Sequence, residues 1–204
     1  MRKIKITSII IFLFVLITLV IIISISTYKI KKSGNNNINK SEEEIIDNIL
    51  NIKSYKATMK IEVNTNKNKT KYMAKQILEN NKSIQEIIEP QNIAGLITEY
   101  DGHNLKIINN NLGLTTTFEN YEYIVNNNWW LNSIIEEYKS SNNKKTETKE
   151  NEIILEIKNE VGNKYNTDKK LYIDKITGKP SKIIVQDINQ NTLIYILYTE
   201  IEIS

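Results

Sequence analysis

The chain has 204 residues, with 27 basic and 24 acidic side chains, no cysteine and one histidine. The lack of cysteine excludes disulfides, thiol catalysis, a lipid-modified cysteine and cysteine-ligated metals. Residues 1–32 hold six basic residues and no acidic one, which leaves 21 of the 27 basic residues against all 24 acidic ones in the rest. Because the positive charge belongs to the N-terminus, the composition gives no support for nucleic-acid binding.

An uncharged segment near the N-terminus predicts a membrane anchor. Residues 6–28 carry no charge, and about twenty residues at about 1.5 Å each cross a hydrocarbon core of about 30 Å. A cleaved signal peptide is the alternative, but its usual small-residue site is missing, since the first alanine is Ala57. We expect residues 1–32 to form an uncleaved anchor, residues 33–40 a polar linker, and residues 41–204 an extracytoplasmic domain.

The domain begins with a predicted helix and strand. Ser41 and Glu44 form a capping box, and an apolar stripe at helical spacing follows: Ile45, Ile46, Ile49 and Leu50. We expect this helix to end near Ile52 and to pack on a sheet. A membrane-surface helix is the alternative, which the acidic first turn disfavours. Residues 55–63 alternate and predict a half-buried strand, with one face made of Tyr55, Ala57, Met59, Ile61 and Val63.

Residues 87–108 predict three short strands and two turns at the centre of the sheet. Pro90 ends the first strand because it lacks an N–H. Asp101-Gly102 is a strong signal for a tight hairpin turn. With the strands on either side, we expect about seven consecutive strands before the pattern changes.

A second helix is predicted from Asn128 to Lys139, with Asn128 as its N-cap. Its apolar stripe consists of Trp130, Leu131, Ile134, Ile135 and Tyr138. Two adjacent tryptophans cannot both point to the same face, so one, expected to be Trp129, lines a cleft or touches a partner. The candidate partner- or ligand-contact residues are Trp129, Trp130, Ile134 and Tyr138. The alternative is that both rings cover the edge of the core.

The remaining segment predicts a solvated loop at residues 139–151, where charges need no ligand, and then about four strands. In the last strand alternation predicts one face made of Leu193, Tyr195, Leu197, Ile201 and Ile203. The other face would carry Ile194, Ile196 and Tyr198. A strand that is apolar on both sides indicates a curled sheet, or a helix or partner on its back. The predicted fold class is α+β, a large curved antiparallel sheet packed over helices.

The residue types that commonly act in catalysis, metal binding or phosphate binding form no recognisable motif in this sequence. A catalytic nucleophile needs an adjacent base, and His103 follows a predicted turn, where an exposed polar residue is expected. The sequence has no H-E-x-x-H, no aspartate cluster and no glycine-rich phosphate loop. Capping explains Glu42–Glu44 and a solvated helix face explains Glu136-Glu137, although sequence alone leaves paired carboxylates for glycoside cleavage open. We predict a non-enzyme without metal or cofactor.

Several motifs resemble the LolA/LolB-type lipoprotein-carrier superfamily. They are Glu89-Pro90 to Gly95, Tyr100-Asp101-Gly102 to Leu105, Leu171 to Pro180, and Gln186 to Asn189. The run Phe118 to Ile124, followed by Trp130-Leu131 and Glu137-Tyr138, resembles the GerS-related germination proteins of spore-forming clostridia. The resemblance covers residues 41–204 and implies an open, LolA-like half-barrel over helices, with a hydrophobic cavity.

The resemblance also implies a function. GerS-related proteins are extracytoplasmic and support the amidase CwlD, which helps make muramic-δ-lactam in cortex peptidoglycan. For this chain, the resemblance implies a membrane-tethered, non-catalytic accessory protein at the forespore or spore membrane. Its partner would be a CwlD-like N-acetylmuramoyl-L-alanine amidase. These proteins are typically lipoproteins, so a transmembrane anchor would replace the lipid tether here. The alternative is a carrier that binds lipid or lipoprotein in the half-barrel cavity.

Overall fold

The computed structural model describes residues 41–65, 67–121, 129–158 and 168–204. The predicted anchor and linker, residues 1–40, lie outside the described residues. Within the four described stretches, no helix is long and apolar enough to cross a membrane.

The described residues form two helices and eleven strands. The helices are α1 (Glu42–Leu50) and α2 (Leu131–Ser140). The strands before α2 are β1 (Tyr55–Asn64), β2 (Lys69–Glu79), β3 (Lys82–Glu89), β4 (Leu96–Tyr100), β5 (Leu105–Asn109) and β6 (Leu114–Phe118). The strands after α2 are β7 (Lys144–Thr148), β8 (Glu152–Ile157), β9 (Asp168–Asp174), β10 (Lys179–Gln186) and β11 (Thr192–Ile203).

All eleven strands form one antiparallel sheet in the order β6-β5-β4-β3-β2-β1-β11-β10-β9-β8-β7. The pair β1 and β11 therefore occupies the middle, and β6 and β7 are the two edges. The prediction that residues 87–108 form the centre of the sheet is wrong, because β4 and β5 lie near one edge. The central partner of β1 comes from the far end of the chain, which no local pattern reveals.

The predicted α+β class with a large antiparallel sheet is confirmed, but the strands divide differently. Six strands precede α2 and five follow it, instead of about seven and four. The extra strand is β7, which lies inside the segment predicted as a solvated loop. Its side chains are mostly exposed and only its backbone pairs with β8, so an edge strand with polar residues resembled a loop.

The core lies between the helices and one face of the sheet, which we call the inner face. The Ser41 hydroxyl accepts the N–H of Glu44 at 3.1 Å, so the predicted cap forms. In α1 the stripe buries Ile45 and Ile49 against the sheet. The alternation predicted for β1 is confirmed, with the buried inner-face residues Tyr55, Ala57, Met59 and Ile61.

A bulge changes the facing of the last strand. Tyr198 lies opposite Met59. Glu200 lies opposite Thr58, which leaves Thr199 as an extra residue. An extra residue reverses the alternation beyond it, so the prediction that Ile201 and Ile203 share a face with Leu193, Tyr195 and Leu197 is wrong. The inner-face residues of β11 are Ile194, Ile196, Tyr198, Ile201 and Ile203.

Candidate functional site

The start of α2 holds the residues that the sequence suggested as contacts. The helix begins at Leu131, and Trp130 is an extended N-cap without a side-chain capping hydrogen bond. The cap predicted at Asn128 lies outside the described residues. The predicted apolar stripe is confirmed, with the buried residues Leu131, Ile134, Ile135 and Tyr138.

A buried polar cluster from three neighbouring strands meets this end of the helix. The Tyr55 hydroxyl donates to Gln76 Oε1 at 3.1 Å. The Gln76 Nε2 group donates to Gln85 Oε1 at 2.7 Å and to the Trp129 carbonyl at 2.6 Å. Gln76 is 0% exposed and Gln85 is 6% exposed. Since buried amides require hydrogen-bond partners, these bonds fix the backbone of Trp129 to the sheet.

Two buried tyrosines, Tyr55 in the cluster and its neighbour Tyr198, have hydroxyls with a raised pKa. Burial raises the pKa of the Tyr55 hydroxyl well above its usual range, and the backbone N–H groups of Asn132 and Leu131 oppose that shift. These N–H groups belong to the first turn of α2, so the Tyr55 hydroxyl acts as a remote cap. Burial, and then the proximity of Tyr55, raises the pKa of Tyr198. Both hydroxyls stay protonated at neutral pH and have no tendency to act as bases.

The four candidate contact residues differ in exposure. Trp130, Ile134 and Tyr138 are 0%, 1% and 7% exposed. Trp129 is half-buried, and its ring centre lies 5.3 Å from that of Tyr72 with an angle of 49° between the planes. The structure thus brings the four together at one helix but presents chiefly Trp129 to the surface. That they contact a partner or ligand stays a prediction.

The later part of α2 is held by polar contacts to β7 and β9. The hydroxyls of Tyr138 and Thr146 are hydrogen-bonded at 2.7 Å. The Lys144 ammonium lies 5.5 Å from the centre of the Tyr138 ring. Lys169, whose side chain is 8% exposed, forms an ion pair with Glu137. The helix is therefore anchored at both ends, which makes it a rigid support for Trp129.

Exposed apolar side chains gather at the β6 edge of the sheet. Leu112, Leu114, Phe118 and Tyr121 are 68%, 59%, 44% and 42% exposed. The rings of Phe118 and Tyr121 lie 6.1 Å apart. We call these four residues together with β6 the β6 edge surface. Exposed apolar patches often mark interaction sites. Sequence analysis missed this surface, although the uncharged run Leu-Thr-Thr-Thr-Phe was a usable signal.

The single histidine lies in the loop between β4 and β5. The predicted hairpin forms, with a four-residue loop, 101–104, in place of a two-residue turn. Asp101 Oδ1 accepts the N–H groups of Asn104 at 2.7 Å and His103 at 2.9 Å. These bonds, that of Asn104 first, hold the pKa of the Asp101 carboxyl below its usual range. In the described stretches, no three histidine or acidic side chains are placed to hold a metal ion.

Comparison with known proteins identifies one matching family model and several similar solved structures. The model described as sporulation protein YdcC-like matches residues 6–204. No curated protein sequence matches the chain. A chain from the complex of the CwlD amidase from Clostridioides difficile with the GerS lipoprotein is 21% identical with a TM-score of 0.52, and the match covers 80% of this chain and 96% of that one.

Two further solved structures are similar. An uncharacterized conserved protein from Thermus thermophilus is 12% identical with a TM-score of 0.50, covering 81% of this chain and 88% of that one. A LolA superfamily protein from Nitrosomonas europaea is 12% identical with a TM-score of 0.41, covering 79% and 93%. At these identities, the matches with a TM-score of 0.50 or more establish a shared fold.

Proposed function

The chain belongs to the YdcC-like sporulation protein family, and from this premise we propose that it is a non-catalytic accessory protein of spore cortex modification and germination. It is tethered to the forespore or spore membrane by its N-terminal segment and has its main domain outside the cytoplasm. Its partner is a cell-wall amidase of the CwlD type. The fold shared with a chain of the CwlD–GerS complex and the uncharged segment at residues 6–28 support the proposal.

One observation favours an accessory protein over a carrier. Trp130, Leu131 and Ile134, each at most 1% exposed, fill the space between α2 and the sheet. A carrier needs a roomy apolar cavity, whereas a binding protein can fill that space with its own side chains. We therefore give α2 the role of a rigid support and Trp129 the role of a contact residue.

A carrier of lipid or lipoprotein is the second candidate. The exposed apolar face of the strands β4 to β6, which we call the arm β4–β6, favours it. On the inner face of this arm, Leu114 and Phe118 are 59% and 44% exposed, and Ile107 is half-buried. An uncovered apolar face of this kind has the chemistry to bind acyl chains.

Affinity purification from sporulating cells distinguishes the two candidates. The full-length chain with a C-terminal tag is isolated, and the eluate is analysed by mass spectrometry for proteins and for lipids. Recovery of a CwlD-type amidase supports the accessory role, and lipid without amidase contradicts it. Deletion of the gene should also remove muramic-δ-lactam from the cortex, which muropeptide analysis measures.

The contact residue is tested by a matched pair of variants. Truncating an anchoring tryptophan commonly costs about 2 kcal/mol or more of binding free energy, so Trp129→Ala should reduce amidase recovery strongly. Tyr121→Ala removes another partly exposed aromatic ring, and we expect it to leave recovery unchanged. If Trp129→Ala recovers as much amidase as the unaltered chain, the partner binds elsewhere.

A further inference from the structure

The two edges of the sheet differ in the way they are protected. β7, with the sequence Lys-Lys-Thr-Glu-Thr, carries charged side chains, and Lys145 and Glu147 form an ion pair at 3.6 Å. β6, with the sequence Leu-Thr-Thr-Thr-Phe, carries no charge, and all five of its residues are exposed. An edge strand presents unpaired N–H and C=O groups, which proteins usually protect with charges or cover. No described residue protects β6 in either way.

We propose that β6 pairs antiparallel with β6 of a second copy of this chain, across a two-fold axis at Thr116. The amino-acid sequence of β6 reads nearly the same from either end. Two antiparallel copies are therefore complementary to each other, as a two-fold interface requires. In this register Thr116 lies opposite Thr116, Thr115 opposite Thr117, and Leu114 opposite Phe118. A charged partner strand would have no oppositely charged side chain to pair with on β6. A second copy of β6 places threonine opposite threonine and an apolar residue opposite an apolar residue.

The proposed register places each pair on the correct face. Leu114 and Phe118 lie opposite Asn109 and Leu105 of β5, and Leu105 is a buried inner-face residue. Residues opposite each other in antiparallel strands share a face, and pairs of apolar side chains or of threonines stabilise that pairing. The interface therefore buries the Leu114–Phe118 pairs and the central Thr116 pair on the inner face, and it leaves the Thr115–Thr117 pairs on the outer face.

Charge does not oppose this pairing. Among the described residues in and beside β5 and β6, the charged ones nearest to this pairing are Lys106 on β5 and Glu119 after β6. The two copies of Glu119 would be six residues apart along the strands, about 20 Å at about 3.3 Å per residue. The two copies of Lys106 would be three strand spacings apart, about 14 Å at about 4.8 Å each. Both separations exceed the Debye length of about 8 Å at physiological ionic strength.

A single-cysteine variant tests the pairing cleanly, because the chain has no cysteine of its own. Facing residues in antiparallel strands have Cα atoms about 4.5–5.5 Å apart, which suits a disulfide. With the full-length chain in cells, mild oxidation of Thr116→Cys should give a disulfide-linked dimer as the main band on a non-reducing gel. Lys145→Cys, at an exposed position on β7, should form no disulfide between copies and should run as a single chain on the same gel. Equal cross-linking of both variants, or none with Thr116→Cys, overturns the proposal.

A charge variant provides an independent test. Thr116→Lys places two ammonium groups together at the two-fold axis, and we expect at least a tenfold weaker dimer in analytical ultracentrifugation of the purified full-length chain. Lys145→Thr, the control on β7, should dimerise like the unaltered chain. Circular dichroism verifies the fold, and Thr117→Lys replaces the first variant if that one misfolds. A dimer that persists in the folded lysine variant contradicts the proposal.

Discussion

The part of the sheet that packs under the two helices and the arm β4–β6 are both made of antiparallel strands, but they differ in what covers them. In the first part β8 is buried on both faces, and even Ile154 on its outer face is 3% exposed. Along the arm the exposure rises from 7% at Tyr100 to 59% at Leu114 and 44% at Phe118 in β6. Pairing alone therefore makes a strand, while a covered face stabilises it.

The largest expected effect concerns the start of α2. Trp130→Ala should lower the free energy of unfolding by about 3–5 kcal/mol, because it removes a fully buried aromatic ring. Trp129→Ala should lower it by about 1 kcal/mol, since it loses mainly a half-buried contact with Tyr72. Urea denaturation measures both values. Equal losses would place both rings in the core and remove the case for a binding surface at this helix.

The same substitution in each region sharpens the comparison. Leu155→Ala, at a residue that is 1% exposed under the helices, should cost about 2–5 kcal/mol of folding free energy. Leu114→Ala, at a residue that is 59% exposed on the arm, should change it by less than about 0.5 kcal/mol. Thermal and urea unfolding of both variants tests this. A large loss with Leu114→Ala at protein concentrations where the chain is monomeric would mean that another part of the same chain covers the arm.

The ion pair between Lys169 and Glu137 tests how α2 is held on the sheet. Lys169→Ala should cost about 3 kcal/mol, because it leaves the carboxylate of Glu137 partly buried without a partner. Lys145→Ala on the exposed edge strand β7 should cost about 0–1 kcal/mol, as surface ion pairs do. Denaturation in low and in high salt provides the measurement. Equal costs would show that burial does not strengthen the Lys169 pair.

The smallest expected effect is a change in pKa at two turns. Asp101 in the arm and Asp187 between β10 and β11 both have a lowered pKa, but the main cause is a backbone N–H for Asp101 and the Asn191 side chain for Asp187. Asn191→Ala should therefore raise the pKa of Asp187 more than Asn104→Ala raises that of Asp101. Carboxyl titration by NMR measures both shifts, and the reverse order would contradict the assignment.

The sign of the accompanying pH dependence follows from these lowered values. A carboxyl whose pKa is lower in the folded state stabilises the fold above its unfolded pKa of about 3.9. That stability is lost as the pH falls below about 4 and through the folded pKa. Because neither aspartate is buried, we expect a small decrease in stability there, and the two alanine variants should lose less on acidification than the unaltered chain.

The sequence by itself determined the local elements of this protein. The cap at Ser41, the alternation in β1 and the apolar stripe of α2 each depend on residues a few positions apart, so periodicity and turn chemistry were enough. The α+β class follows from those elements. Local patterns failed at β7, where an edge strand has polar side chains, and at Thr199, whose extra position appears only against the facing strand.

The tertiary structure alone decided which segments meet. The pairing of β1 with β11 brings Tyr55 opposite Ile203 and moves residues 87–108 away from the centre of the sheet. It also decided that Gln76 holds the Trp129 carbonyl and that β6 stays an uncharged edge. The physical reason is that periodicity reports which side of an element is apolar, whereas the choice of a distant partner depends on chain closure and on packing between faces far apart in sequence.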